Sequence, residues 1–98
     1  MADTTFEWDP AKAAANLKKH GVAFDEAQTV FEDDEALIVP DPDHSLAENR
    51  FVLLGASAAR HVLAVVHCEL ARGSVIRIIS ARKADRDERA TYRAMRTP

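Results

Sequence analysis

The sequence predicts one small α+β domain: a mostly antiparallel sheet with two leading helices and one trailing helix, in the order β-α-α-β-β-β-β-α. Three observations predict it. Segments 50–57, 61–70 and 74–81 are rich in Val, Ile, Leu and Phe and follow one another across links of three residues, Ala58-Ala59-Arg60 and Ala71-Arg72-Gly73. Such short links suit an antiparallel meander, because parallel neighbours need a long crossover. Helix-forming stretches with specified ends lie before and after that meander. Finally, 98 residues that are 47% hydrophobic and 30% charged hold too much apolar matter for disorder and fit a single domain, residues 1–98.

Taken in order, Phe6-Glu7-Trp8 alternates apolar and polar residues and reads as a short strand. Asp9-Pro10 opens a helix, Asp as N-cap and Pro where a missing N–H costs nothing. The helix runs from Ala11 to His20, carries Lys18, Lys19 and His20 in its last turn and stops at Gly21. Ala13, Ala14 and Leu17 give it an apolar side, and Lys12, Asn16 and Lys19 a polar stripe. Phe24 to Phe31 reads as a second helix with Ala27, Val30 and Phe31 inward and Asp25 and Glu26 at its positive end. Ala36 to Val39 is strand-like and closed by Pro40 in the loop Pro-Asp-Pro-Asp-His-Ser. After the meander, Lys83 to Met95 reads as the last helix, with Asp85, Asp87 and Glu88 near its start and Arg93 and Arg96 near its end. Ala84, Glu88, Tyr92 and Met95 form its expected packing side, Tyr92 as a core anchor. A chain this short buries only roughly 60–65% of the surface it exposes when unfolded, so a partner that covers more surface is expected to help it.

The formal charge of −3 hides a division. Residues 1–49 hold 12 acidic groups against three Lys, −9, and residues 50–98 hold four against ten basic groups, +6. Such asymmetry suggests an interaction surface, unless the halves neutralise each other within the fold. The single Cys68 cannot form an intrachain disulfide, the first residues are acidic and polar, and no apolar run approaches the ~20 residues of a membrane span. A soluble, cytoplasmic protein is expected. His20, His44, His61 and His67 show no metal-ligand spacing, His61 and His67 reading as edge and core residues of one strand. With Gly21, Gly55 and Gly73 alone, no phosphate-binding glycine loop is available, and no nucleophile elbow occurs. No metal and no cofactor is expected.

Four constellations could carry chemistry. Arg82, Arg86, Arg89, Arg93 and Arg96 would fall within roughly an 80° arc of the last helix. Like charges so placed repel and are best tolerated facing an anion, which could be RNA phosphate, an acidic partner or the chain's own acidic half; a solvated face is the plainer reading. Arg77 sits in a strand otherwise built for burial, sharing a face with Val75 and Ile79 by alternation. It needs an anion there, a gripped phosphate or a structural ion pair to an acidic loop. Asp43-His44-Ser45 with Glu48-Asn49-Arg50 offers an acid, a base and a cation, or else a turn in which Glu48 pairs with Arg50. Lys18-Lys19-His20 ends the first helix, where cations are common for dipole reasons alone.

Together these residues resemble the BrnT toxins of bacterial type II toxin-antitoxin systems. The resemblance is carried by Phe6-Glu7-Trp8-Asp9-Pro10-Ala11-Lys12, by Lys19-His20-Gly21-Val22 with Phe24, by Phe31-Glu32-Asp33 and Asp41-Pro42-Asp43-His44-Ser45, and by Glu48 with Arg50-Phe51. It continues in Arg77-Ile78-Ile79-Ser80-Ala81-Arg82-Lys83-Ala84 and in Glu88-Arg89 before Tyr92. One departure is Ala59-Arg60, where a Gly-Arg step is usual. The resemblance implies a RelE/ParE-like fold, a ribonuclease that halts translation, and a BrnA-like ribbon-helix-helix antitoxin through which alone operator DNA is met. The expected chemistry is metal-independent: the RNA 2′-hydroxyl attacks the adjacent phosphate, which requires positioning, proton transfer and cations. Arg77 and Arg82 would clamp the phosphate with Lys19 as a further cation, His20 or Glu48 would accept or relay the proton, and Arg50 would orient Glu48. Arg60, Arg86 and Arg89 are the expected substrate contacts. Rival readings are a non-catalytic homologue that only binds its antitoxin, and a gyrase poison of the same fold.

Overall fold

The computed structural model describes residues 4–40 and 50–96, with Pro40 in its backbone only. Strand β1 is Thr5–Glu7, and helices α1, Pro10–His20, and α2, Phe24–Thr29, follow, α2 running on as a 3-10 turn over Val30–Glu32. Strands β2, Leu37–Pro40, β3, Arg50–Ala56, β4, Val62–Leu70, and β5, Val75–Lys83, precede helix α3, Arg86–Met95. They form one sheet in the order β1-β5-β4-β3-β2, in which β1 runs parallel to β5 and every other pair is antiparallel. The predicted α+β order therefore holds.

The ends of α1 follow their chemistry. Asp9 Oδ1 accepts the Ala11 N–H at 2.8 Å, and Gly21, at φ 71°, donates its N–H to Leu17 O. That left-handed turn is open to glycine without a steric penalty. The start of α3 differs from expectation. Asp85 Oδ1 accepts the Glu88 N–H at 2.8 Å and Glu88 Oε1 accepts the Asp85 N–H at 2.9 Å, a capping box that fixes the first helical residue at Arg86. Residues through Lys83 stay in β5, so the predicted five-arginine stripe is divided, with Arg82 on a strand. Met95, expected to pack, is 66% exposed, because α3 meets the sheet chiefly through Tyr92.

Two cores result, one on each face of the sheet. The larger joins Val22, Phe24, Ala27 and Val30 from the α1–α2 side to Leu53, Leu63, Val65 and Ile78. The smaller joins Val52, Leu54 and Ala64 to Ala84 and Tyr92 under α3. Each fully buried large side chain contributes roughly 1.5–3 kcal/mol. Two polar devices close the seams. Asn16 Nδ2 donates to Val22 O at 2.9 Å and to Ala81 O at 2.8 Å, while its Oδ1 accepts the Ala81 N–H at 3.0 Å. The Asn16 amide thus pairs with β5 as a strand would, beyond the point where β1 ends. Asp33 Oδ2 accepts the Ala56 N–H at 2.8 Å and the Tyr92 hydroxyl at 2.5 Å, fastening α3 to the end of β3.

Candidate functional site

The core under α3 reaches Val52 on β3 and Val66 on β4 and goes no further along the sheet. The next row of residues on that face is Arg50, Cys68, Arg77 and Glu7, aligned across β3, β4, β5 and β1. Neighbouring strands lie about 4.8 Å apart, so the Arg50 and Arg77 backbones are separated by about 10 Å. Two rows nearer α3 along β4, Arg82 pairs with Ala64. Three arginines, Arg50, Arg77 and Arg82, therefore share one face of the sheet, and α1 and α2 pack on the other.

A β-bulge puts two of them there. Arg77 and Arg82 are five residues apart, an odd separation that sends side chains to opposite faces of a regular strand. Between the pairs Val66↔Ser80 and His67↔Ile78 the register slips, and Ile79 is the extra residue. The slip brings Ile78 and Ala81, 1% and 0% exposed, together into the larger core, and Arg77 and Arg82 together onto the opposite face. Simple alternation had placed Ile79 beside Arg77 and gave no reason to join Arg82 to either.

Arg77 and Arg82 are each met by a carboxylate of the chain. Arg77 Nε and Nη2 both reach Glu7 Oε2, at 2.6 and 2.5 Å. The anion beside Arg77 thus comes from β1 and not from an acidic loop. Arg82 forks onto Glu88, Nη1 to Oε1 at 2.7 Å and Nη2 to Oε2 at 2.9 Å. The Arg82 hydrogen bonds hold the Glu88 carboxyl below its ordinary value, against the opposing effect of burial and with help from the Asp85 N–H.

Lys19 and His20 stand on the other side of β5. With Lys12, Ala15 and Asn16 they face Ile79 and Ser80 across a shallow cavity of about 210 Å³. The bulge therefore lies between the end of α1 and the row of arginines. Glu48, together with Asp43, His44, Ser45 and Asn49, lies outside the described residues. Arg60 follows β3, at the end of the sheet remote from Arg50 and about 20 Å along the strand from it. It adopts φ 67° and, with Asp33, Glu35, Tyr92, Arg93 and Arg96, lines a separate cavity of about 510 Å³. Arg86 is exposed in the first turn of α3, and Arg89 Nη1 donates to Ala84 O at 2.7 Å. Arg96 bonds Glu35 Oε1 at 3.2 Å and lies over the Tyr92 ring. His67 is a core residue, 0% exposed, whereas His61 is exposed and bonds Glu26. Among the described residues no three His, Cys, Asp or Glu side chains cluster as metal ligands would, and no helix is long and apolar enough to cross a membrane.

Sequence reasoning missed Glu7 and Cys68 as members of this row. Alternation puts Glu7 opposite the inward Phe6, but nothing local announces that β1 pairs with β5 in parallel register.

Arg50, Arg77 and Arg82 on one sheet face, with Lys19 and His20 at the nearby end of α1, thus gather basic side chains around β5 of a small α+β domain. The family model for the ribonuclease toxin BrnT of type II toxin-antitoxin systems matches residues 8–88. The chain belongs to that family. Among solved structures it is similar to the 1.1 Å crystal structure of the Brucella abortus ribonuclease toxin BrnT, at 21% identity and a TM-score of 0.65, over 85% of this chain and 99% of that one. No curated protein sequence matches the chain.

Proposed function

We propose that the chain is a metal-independent endoribonuclease that cuts RNA by attack of a 2′-hydroxyl on the adjacent phosphate and so stops translation. The observation that carries this reading is the bulge-enforced grouping of Arg50, Arg77 and Arg82 on one sheet face. Self-cleavage of RNA needs no cofactor: the nucleophile is in the substrate, and the protein supplies position, proton transfer and compensation of phosphorane charge. Arg77 and Arg82 clamp the phosphate and Lys19 adds charge from the end of α1. His20 or Glu48 accepts or relays the proton, with Arg50 orienting Glu48, and Arg60, Arg86 and Arg89 extend the substrate contacts. The fold is of the RelE/ParE kind, and the partner is a BrnA-like ribbon-helix-helix antitoxin that covers the same face in the cytoplasm and alone contacts operator DNA.

The test is expression of the wild type, Arg77→Ala and Glu48→Ala in cells, with growth and RNA integrity followed together, and incubation of purified protein with RNA with and without EDTA. Wild type arrests growth and cuts RNA in the presence of EDTA, and both variants lose at least tenfold of that activity. Two fully toxic variants would overturn the site, and cleavage abolished by EDTA would overturn the metal-independent mechanism.

A further inference from the structure

Three carboxylates pair with arginines among the described residues, and they differ in what their oxygens do. Both oxygens of Glu88 are engaged, Oε1 by Arg82 and the Asp85 N–H and Oε2 by Arg82 again, so this group is committed to holding α3 against β5. Glu35 pairs with Arg96, beside the cavity that also holds Arg60 and remote from the row of arginines. Glu7 is different. Its Oε2 takes both contacts from Arg77, its Oε1 has no partner among the described residues, and its side chain is 40% exposed on the face that carries Arg50, Cys68 and Arg77. The Arg77 side chain is 58% exposed, and only its Nε and Nη2 are turned to Glu7, which leaves the N–H groups of Nη1 for another anion.

This is the juxtaposition that 2′-hydroxyl attack requires. In a near-attack geometry the nucleophilic oxygen lies about 3–3.5 Å from phosphorus, so the group that takes its proton must stand beside the group that holds the phosphate oxygens. We infer that Glu7 is the proton acceptor of the cleavage reaction, a catalytic residue on β1 hydrogen-bonded to the arginine that holds the phosphate. The inference rests on the ribonuclease reading above and assigns within it a role left between His20 and Glu48. As the 2′-oxygen bonds to phosphorus, its proton passes to Glu7 Oε1. The bond from phosphorus to the 5′-oxygen breaks, and that oxygen leaves with the electron pair and takes a proton from water, the relay that the reading above leaves to His20 or Glu48. The products are a 2′,3′-cyclic phosphate and a 5′-hydroxyl end, and Glu7 then returns its proton to solvent. The Arg77 guanidinium faces the phosphate charge during the step.

The experiment compares wild type, Glu7→Gln, Glu7→Asp and Arg77→Lys on a single-stranded RNA oligonucleotide, with its 2′-deoxy analogue as a binding probe that cannot react. Glu7→Gln keeps the shape and a hydrogen-bonding end at an exposed position, and thermal melting checks that it folds. Its kcat falls by 10²–10⁴-fold, the loss of a general base, while the Kd for the 2′-deoxy analogue changes less than threefold. The fall in rate on the acid side of the wild-type pH profile disappears in Glu7→Gln and persists in Arg77→Lys, and Glu7→Asp recovers part of the lost rate. A Glu7→Gln rate within threefold of wild type overturns the inference and leaves the ribonuclease reading intact. So does a loss of analogue binding in proportion to the loss of rate, which would make Glu7 a positioning residue for Arg77. Wild-type protein that leaves every RNA intact overturns the ribonuclease reading, and this inference with it.

Discussion

At the scale of single residues, Gly55 is the most tightly enclosed of the three glycines. A Cβ there would lie 2.8 Å from Ala36 Cβ, 3.0 Å from Asp33 Oδ2 and 3.0 Å from Val30 Cγ1, and two of these three neighbours belong to a tight turn that cannot retreat. Gly55→Ala is therefore expected to lower stability by about 1–3 kcal/mol, the usual range for overpacking, read as a drop in the urea midpoint. Tyr92→Phe removes the donor to Asp33 without changing the packed ring and should cost about 1–2 kcal/mol. A loss of that size in Gly55→Ala with none in Tyr92→Phe would show that Asp33 acts on β3 alone. Tyr92 was legible in the sequence as an anchor because of its place on the apolar side of a helix. Its acceptor was not, since Asp33 lies 59 residues away in an acidic run that reads as solvated surface.

At the scale of elements, strands and helices announced themselves by composition and by end chemistry: Asp9-Pro10 and Gly21 bracket α1 as read. The antiparallel meander held as well; what failed were features set by strand register and by contacts between distant segments. The boundary of α3 was set three residues early because Lys83, Ala84 and Asp85 suit a helix, while the observed cap uses Asp85 and Glu88 and leaves Lys83 to β5. The bulge at Ile79 has no sequence signature here, neither glycine nor proline, and yet it decides which side of the sheet Arg82 occupies. By its spacing Asn16 falls on a polar stripe, which hides its actual task of completing β5 at Ala81, beyond the end of β1. Replacing it leaves the Ala81 N–H and C=O without partners in a buried place. Asn16→Ala should cost about 2–4 kcal/mol, and Asn16→Asp, which keeps the acceptor but loses both donors, should not restore it. Chemical denaturation of the two variants checks this, and an Asn16→Ala loss below 1 kcal/mol would mean that water replaces the amide at the strand edge.

At the scale of the whole molecule, the division of charge into −9 and +6 is partly resolved inside the fold, by Arg77 with Glu7 and Arg96 with Glu35. The same division gives the domain a directional response to acid. Burial alone would raise Glu26 and Asp33, but Ser57 and His61 on the first, and the Ala56 N–H and Tyr92 on the second, outweigh it and hold both carboxyls below their ordinary values. Glu88 is held down by Arg82. Their stabilisation is complete above the ordinary carboxyl range and is lost as pH falls through the lower folded-state values. His67 acts earlier. Burial lowers it from the ordinary imidazole value of 6.5, partly countered by Val65 O and by Glu69, whose carboxylate is 3.9 Å from an Nε2 that has no hydrogen bond. Below about pH 6.5 the unfolded chain takes up a proton that folded His67 refuses, so stability falls in a window where the three carboxylates still contribute in full. His67 sits between the rings of Phe31 and Phe51, at centroid distances of 4.9 and 6.0 Å, which makes phenylalanine a fair replacement. The urea midpoint of the wild type should decline between pH 8 and 5.5 and then more steeply below 4.5, whereas His67→Phe should be flat over the first interval and decline only in the second. A wild-type midpoint constant to pH 5.5, or an equal decline in His67→Phe, would place the first loss elsewhere than in the buried imidazole.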